Sequence, residues 1–234
     1  MFTFPGHKRK YPIPIEMTSN EKDKCKNSKL KSKGKFSINR LLEQETNVHG
    51  EVVGTYYRFQ AILNDKDKTV MGYVVSEATG KCDDVKVFVQ YRGCGIAKYL
   101  VVTCFQDDKV LGQGGKGLDV TKDHHWEEAK AQRKEVSKYC QAITFLRCMP
   151  FGNDPEKVGA CIPYLRAGSI AGFDLLFTKS NFENPERLPA FALGEKLENE
   201  FKANANDWVF DNGRIWYFCK CKENEKIRCL DMQR

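Results

Sequence analysis

The chain lacks any long hydrophobic run. Its longest apolar stretch, Tyr99 to Phe105, is far shorter than the roughly 20 residues a membrane-spanning helix needs, so no membrane contact is expected. The opening residues MFTFPGHKRKYP hold no apolar core, and no secretory signal is read in them. Cysteine occurs ten times in 234 residues but never as a CxxC pair. Cys219, Cys221 and Cys229 follow the spacing C-x-C-x7-C with no histidine nearby, which is not a zinc pattern, and no metal is expected. Without a secretory signal the ten thiols are expected to be reduced, in the cytoplasm or the nucleus. Two further motifs are incomplete. His124-His125 has no second histidine four residues on, which excludes HExxH. In Gly112 to Gly117, Lys116 is followed by Gly117 instead of the Ser or Thr of a phosphate-binding P-loop, so this run reads as a flexible connector.

What the chain does have is a lopsided charge. Of its net +7, residues 1–40 carry eleven Lys and Arg against Glu16, Glu21 and Asp23, so the rest is close to neutral. From Lys22 to Lys35 lysine alternates with small polar residues. Such a composition buries too little apolar surface to offset the entropy of ordering, and residues 1–35 are expected to be a disordered basic tail. Through residues 8–35 it would make weak contact with nucleic acid or acidic partners, or serve only as a solvated extension. No aromatic residue lies between Lys22 and Lys35, so stacking on bases is not expected there.

The remaining residues, 36–234, read as one domain. Phe36 to Glu45 has Ile38, Leu41 and Leu42 on one helical face behind Ser37 as a cap, which predicts a short helix. Val52 to Leu63 and Thr69 to Ser76 predict a hairpin, and Glu77 to Asp84 a turn. Thr121 to Cys140 reads as a helix, Ala142 to Cys148 as a strand, and Asn153-Asp154-Pro155 as a helix start. Phe173 to Phe177 is strand-like and Ala190 to Phe201 an amphipathic helix. Trp208 to Phe210 and Ile215 to Cys219 flank Asp211-Asn212-Gly213, a hairpin signal.

The richest stretch is Arg92-Gly93-Cys94-Gly95-Ile96-Ala97, between the apolar run Val85 to Val89 and the helix-like run Lys98 to Phe105. A strand that breaks into glycines and opens a helix gathers free backbone N–H groups at the positive end of the helix dipole. With no Cβ on Gly93 or Gly95, an anion can lie close to the main chain. The chemistry suits phosphate. A plain β–α turn would use the same glycines for bending alone. With no histidine partner in view, Cys94 is read as an incidental loop residue.

Arg92, Gly95 and Ala97 fit Arg/Gln-x-x-Gly-x-Gly/Ala, and RGCGIAKYL resembles the acyl-CoA loop of the GNAT N-acetyltransferase superfamily. The likeness spans residues 85–100. It implies a mixed α/β fold with a mainly antiparallel sheet flanked by helices, with residues 109–140 inserted. It also implies acetyl-CoA as co-substrate, held by Val87, Val89, Arg92, Gly93, Cys94, Gly95, Ile96 and Ala97, and an amine acceptor, small molecule or protein. The family has two helices before the first hairpin, where only one is read here. Farther on, Ala160, Tyr164 and Gly168 match the family's Ala-x-x-x-Tyr-x-x-x-Gly, which implies Tyr164 as the acid that protonates the departing thiolate. Pro163 is expected to disturb that helix, and Ser169 stands where the family commonly has phenylalanine. For the base that deprotonates the amine, Asp83, Asp84 and Glu77 are candidates. Two other functions remain open: a nucleic-acid or chromatin-associated protein acting through its tail, and an inactive GNAT-like interaction module.

Overall fold

The computed structural model describes residues 10–77, 81–107, 140–147, 162–178, 190–203 and 215–221. They fall into two compact units, one of residues 5–78 and 82–110, the other of residues 1–4, 79–81 and 111–234.

The first unit opens with β1 (Ile13–Glu16), α1 (Ser19–Lys24) and α2 (Ser28–Lys33). Residues 10–35 are thus folded, against the expectation of a tail, and local signals explain it. Thr18 and Glu21 form a reciprocal capping box: the Glu21 amide donates to Thr18 Oγ1 (3.3 Å) and the Thr18 amide to Glu21 Oε2 (2.9 Å). Asn27 caps α2 by accepting from the Leu30 amide at 2.9 Å. Gly34, left-handed at φ 62°, ends that helix. Met17, Cys25 and Leu30 are buried in the unit's core. Average composition hides these few anchors.

An antiparallel meander follows: β2 (Lys35–Thr46), β3 (Val52–Ile62), β4 (Val70–Glu77) and β5 (Lys81–Val87), in the order β1-β2-β3-β4-β5. The helix expected over Phe36 to Glu45 is strand β2. Phe36 and Ile38 are both fully buried, two residues apart, while Ser37 and Asn39 are not. Pairing with β1 on one side and β3 on the other overrides the helical spacing. The predicted hairpin over 52–76 is β3–β4. The expected turn at Glu77 to Asp84 shrinks, because β4 runs to Glu77 and β5 begins at Lys81. The predicted strand Val85 to Val89 stops at Val87, and Val89 to Tyr91 form a 3-10 turn. Then comes α3 (Ile96–Phe105), whose Ile96, Leu100, Val101, Cys104 and Phe105 are nearly or wholly buried as it packs on β3 and β4.

The second unit holds β6 (Cys140–Arg147), α4 (Ile162–Ile170), β7 (Leu175–Thr178), β8 (Ala190–Ala192), α5 (Glu195–Ala203) and β9 (Ile215–Cys221). Its strands are antiparallel in the order β6-β9-β7-β8. Cys140, expected to end a helix, starts β6. The helix expected from Ala190 begins only at Glu195, because Ala190–Ala192 pairs with β7 and Gly194 breaks the chain at φ 148°. Leu197 and Phe201, four apart, supply its buried stripe. Pro163 does not disturb α4. It is the second residue of the helix, where the missing N–H has no partner to lose.

The glycine run 112–117, the helix expected to Cys140, the helix start at Asn153, the strand at Trp208 and most of the insertion 109–140 lie outside the described residues. Both units are mixed α/β with antiparallel strands. No helix among the described residues is long and apolar enough to cross a membrane.

Candidate anion site at the start of α3

Strand β5, the 3-10 turn and α3 place the glycine loop between sheet and helix, in the predicted order. Gly93 (φ 80°) and Gly95 (φ 77°) are both left-handed, a conformation in which a side chain is strained. The backbone N–H groups of Gly93, Gly95, Ile96, Ala97 and Lys98 meet no acceptor among the described residues, and α3 has no side-chain cap. The first N–H inside the helix to find a partner is that of Tyr99, on the Gly95 carbonyl at 3.4 Å. The start of a buried helix therefore presents a cluster of unserved donors.

Cys94 is not incidental. It is fully buried and disulfide-bonded to Cys25, 69 residues away at the C-terminal end of α1. Cys219 and Cys221 are also disulfide-bonded. These four cysteines depart from the expected reduced state, and neither Cys219 nor Cys221 offers a thiolate to a metal. Among the described residues no group of His, Cys, Asp and Glu is arranged to hold one. The bridge fastens the loop to α1, and the Asn27 side chain adds a hydrogen bond to the Gln90 carbonyl at 3.3 Å.

Glu21 was absent from the sequence reading as a site residue. Its Oε1 lies 3.1 Å from where a Cβ on Gly95 would stand. It accepts from Lys98 Nζ, from Tyr99 Oη at 2.7 Å and from the Thr18 amide. None of these donors is an amide of the loop. Burial by itself raises the Glu21 carboxyl, but the hydrogen bonds from Lys98, Tyr99 and Thr18 outweigh it and hold it below the ordinary carboxylate value. Burial and the Glu21 carboxylate both push the Tyr99 hydroxyl well above the usual tyrosine value, so it stays a proton donor. Lys98 is thereby spoken for, and an incoming anion would be met by main-chain donors. The string Thr18-Ser19-Asn20-Glu21 carried the capping-box signature that would have found this carboxylate.

The other predicted residues scatter. Arg92 is exposed, and its Nε donates to the Val87 carbonyl at 3.2 Å, back toward β5. Val87 sits opposite Gly72 in the ladder. Val89 is 74% exposed. Asp84 is exposed on β5 opposite Val75, Asp83 precedes it there, and Glu77 ends β4 opposite Tyr56. Tyr164 stands half-buried on α4 in the second unit. On the same helix, a Cβ on Gly168 would come within 2.5 Å of the Phe218 ring, so this glycine lets α4 approach β9 closely. Compared with protein-family models, curated proteins and solved structures, the chain matches none.

Proposed function

We propose that the loop Arg92 to Ala97 receives the pyrophosphate of acetyl-CoA, and that the protein is an N-acetyltransferase of GNAT-like plan. One observation carries the reading: the amides of Gly93, Gly95, Ile96, Ala97 and Lys98 meet no acceptor among the described residues, in a loop with two left-handed glycines that follows strand β5 and a 3-10 turn and opens a helix. Oriented main-chain donors at a helix start stabilise a phosphate without needing a lysine. Arg92 is exposed and would leave the Val87 carbonyl in order to reach a phosphate oxygen.

In the proposed reaction a neutral amine attacks the thioester carbonyl, the tetrahedral oxyanion collapses, and the C–S bond breaks. The amine's proton passes to a carboxylate, Asp84 or Glu77, directly or through water. The CoA thiolate leaves and takes its proton from water. The acceptor is an amine on a small molecule or a protein.

The test is thermal melting of the full chain with acetyl-CoA and, separately, with S-acetylpantetheine, which keeps the thioester and lacks the pyrophosphate. A ligand at about a hundred times its dissociation constant adds roughly 2.7 kcal/mol. The reading expects acetyl-CoA to raise the melting temperature, S-acetylpantetheine to leave it unchanged, and amines to release free CoA thiol. No shift with acetyl-CoA in a folded protein overturns it. A shift without thiol release under any amine leaves a cofactor-binding module in place of an enzyme.

A further inference from the structure

The lysines of α1 and α2 are not equivalent. Lys29 is paired with Asp65 at 2.6 Å, and Lys33 donates to the Asn64 carbonyl at 2.5 Å, both on the β3–β4 turn. Lys24, Lys26, Lys31 and Lys35 are exposed and have no carboxylate partner among the described residues. The one carboxylate within 22–35 is Asp23, itself exposed, and Glu16 is exposed on β1. Glu21, half-buried, is committed to Lys98 and Tyr99. The unpaired ammonium groups project from a backbone fixed by the Cys25–Cys94 bridge, the Asn27 contacts and the buried Leu30. A polyanion would therefore bind without the cost of ordering the backbone beneath these side chains.

We infer that the exposed lysines on and beside α1 and α2, namely Lys24, Lys26, Lys31 and Lys35, bind a linear sulfated polysaccharide. Two observations select this polyanion over nucleic acid. Disulfides form and persist in oxidising compartments, where sulfated glycans are the abundant polyanions, and four cysteines in this protein are oxidised. In addition, residues 22–35 contain no aromatic side chain to stack on a base and no arginine to grip a base edge. An anionic bilayer is disfavoured because the exposed residues of α1 and α2 include no apolar side chain to insert. The inference stands apart from the acetyl-CoA reading, since it uses side-chain charges on α1 and α2 and not the loop amides.

The experiment is fluorescence anisotropy of the full chain with a labelled heparin octasaccharide and with a DNA duplex of matched charge, over a range of salt. Two variants of equal charge change are compared, Lys24→Glu/Lys26→Glu and Lys86→Glu/Lys196→Glu, the second pair being exposed lysines elsewhere. The octasaccharide is expected to bind more tightly than DNA, with affinity falling as salt rises. The first variant should weaken it about tenfold or more and the second less than about twofold. Melting curves confirm that both variants fold. Equal losses in the two variants, DNA binding at least as tight as heparin, or no heparin binding at about 150 mM salt would each overturn the inference.

Discussion

From Lys22 to Lys35 the only apolar side chains are Cys25 and Leu30, yet both are buried and the segment is tied to the rest of its unit. At the far end of the β2–β3 hairpin, Leu41, Leu42, Val48, Val52 and Val53 are concentrated and all are exposed, from 38% for Leu41 to 94% for Val48. The segment that looks unable to fold is anchored, and the one that looks like core is not. What separates them is position. Cys25 is bridged to Cys94, Leu30 is wholly buried, and capping side chains close both short helices. By contrast, Leu41 and Leu42 lie on opposite faces of a strand that β1 pairs only as far as Ile38. A few well-placed anchors order a chain that its mean composition would leave loose.

The contrast breaks most visibly at the disulfide. Replacing Cys25 and Cys94 together by alanine removes a cross-link between residues 69 apart and should cost about 4 kcal/mol by chain-entropy reasoning. Urea titration of the oxidised wild type and the double variant measures this, and a loss below about 1 kcal/mol would show that α1 and α2 hold without the bridge. Next is Leu30→Ala, which should cost about 3 kcal/mol, as for other wholly buried leucines. A loss typical of a surface site would return residues 22–35 to the tail that composition suggests.

Acid sharpens the same comparison. The folded Glu21 carboxyl lies below its ordinary value of 4.5, so its contribution is fully present above that pH. It fades as the pH falls through the lowered folded value. Glu198, on α5, is held down to about 2 mainly by Arg166, and acts in the same direction. Stability measured from neutral to acid pH should therefore fall less steeply in Glu21→Gln than in the wild type, and identical slopes would remove Glu21 from the anchor set. The smallest effect is expected at the exposed hairpin: Leu42→Ser should change stability by no more than about 0.5 kcal/mol.

How much of this was legible in the sequence follows the same logic. Strands β3 and β4 and helix α3 could be read because their apolar periodicity agrees with their surroundings, and the glycine loop because φ above zero demands glycine. Strand β2 could not, since Ile38, Leu41 and Leu42 satisfy helical spacing and only pairing with β1 and β3 decides otherwise. Local pattern carries no trace of a bridge spanning 69 residues. Nor did it show that a carboxylate from α1 stands beside Gly95, although the Thr18–Glu21 capping box was in plain view. The glycine loop lies between β5 and α3 in the order that sequence predicts, whereas Asp84 and Glu77 remained unsorted because burial, the property that selects a base, is three-dimensional.

The central claim is that the unserved amides at the start of α3 hold a phosphate group. A two-dimensional ¹H–¹⁵N spectrum of the isotopically labelled protein, titrated with acetyl-CoA, tests it directly. The account predicts that the amide signals of Gly93, Gly95, Ile96 and Ala97 move together and saturably, while those of the exposed β2–β3 hairpin stay in place. If those four signals stay fixed at saturating acetyl-CoA in the folded protein, the loop is a β–α turn and not a phosphate site.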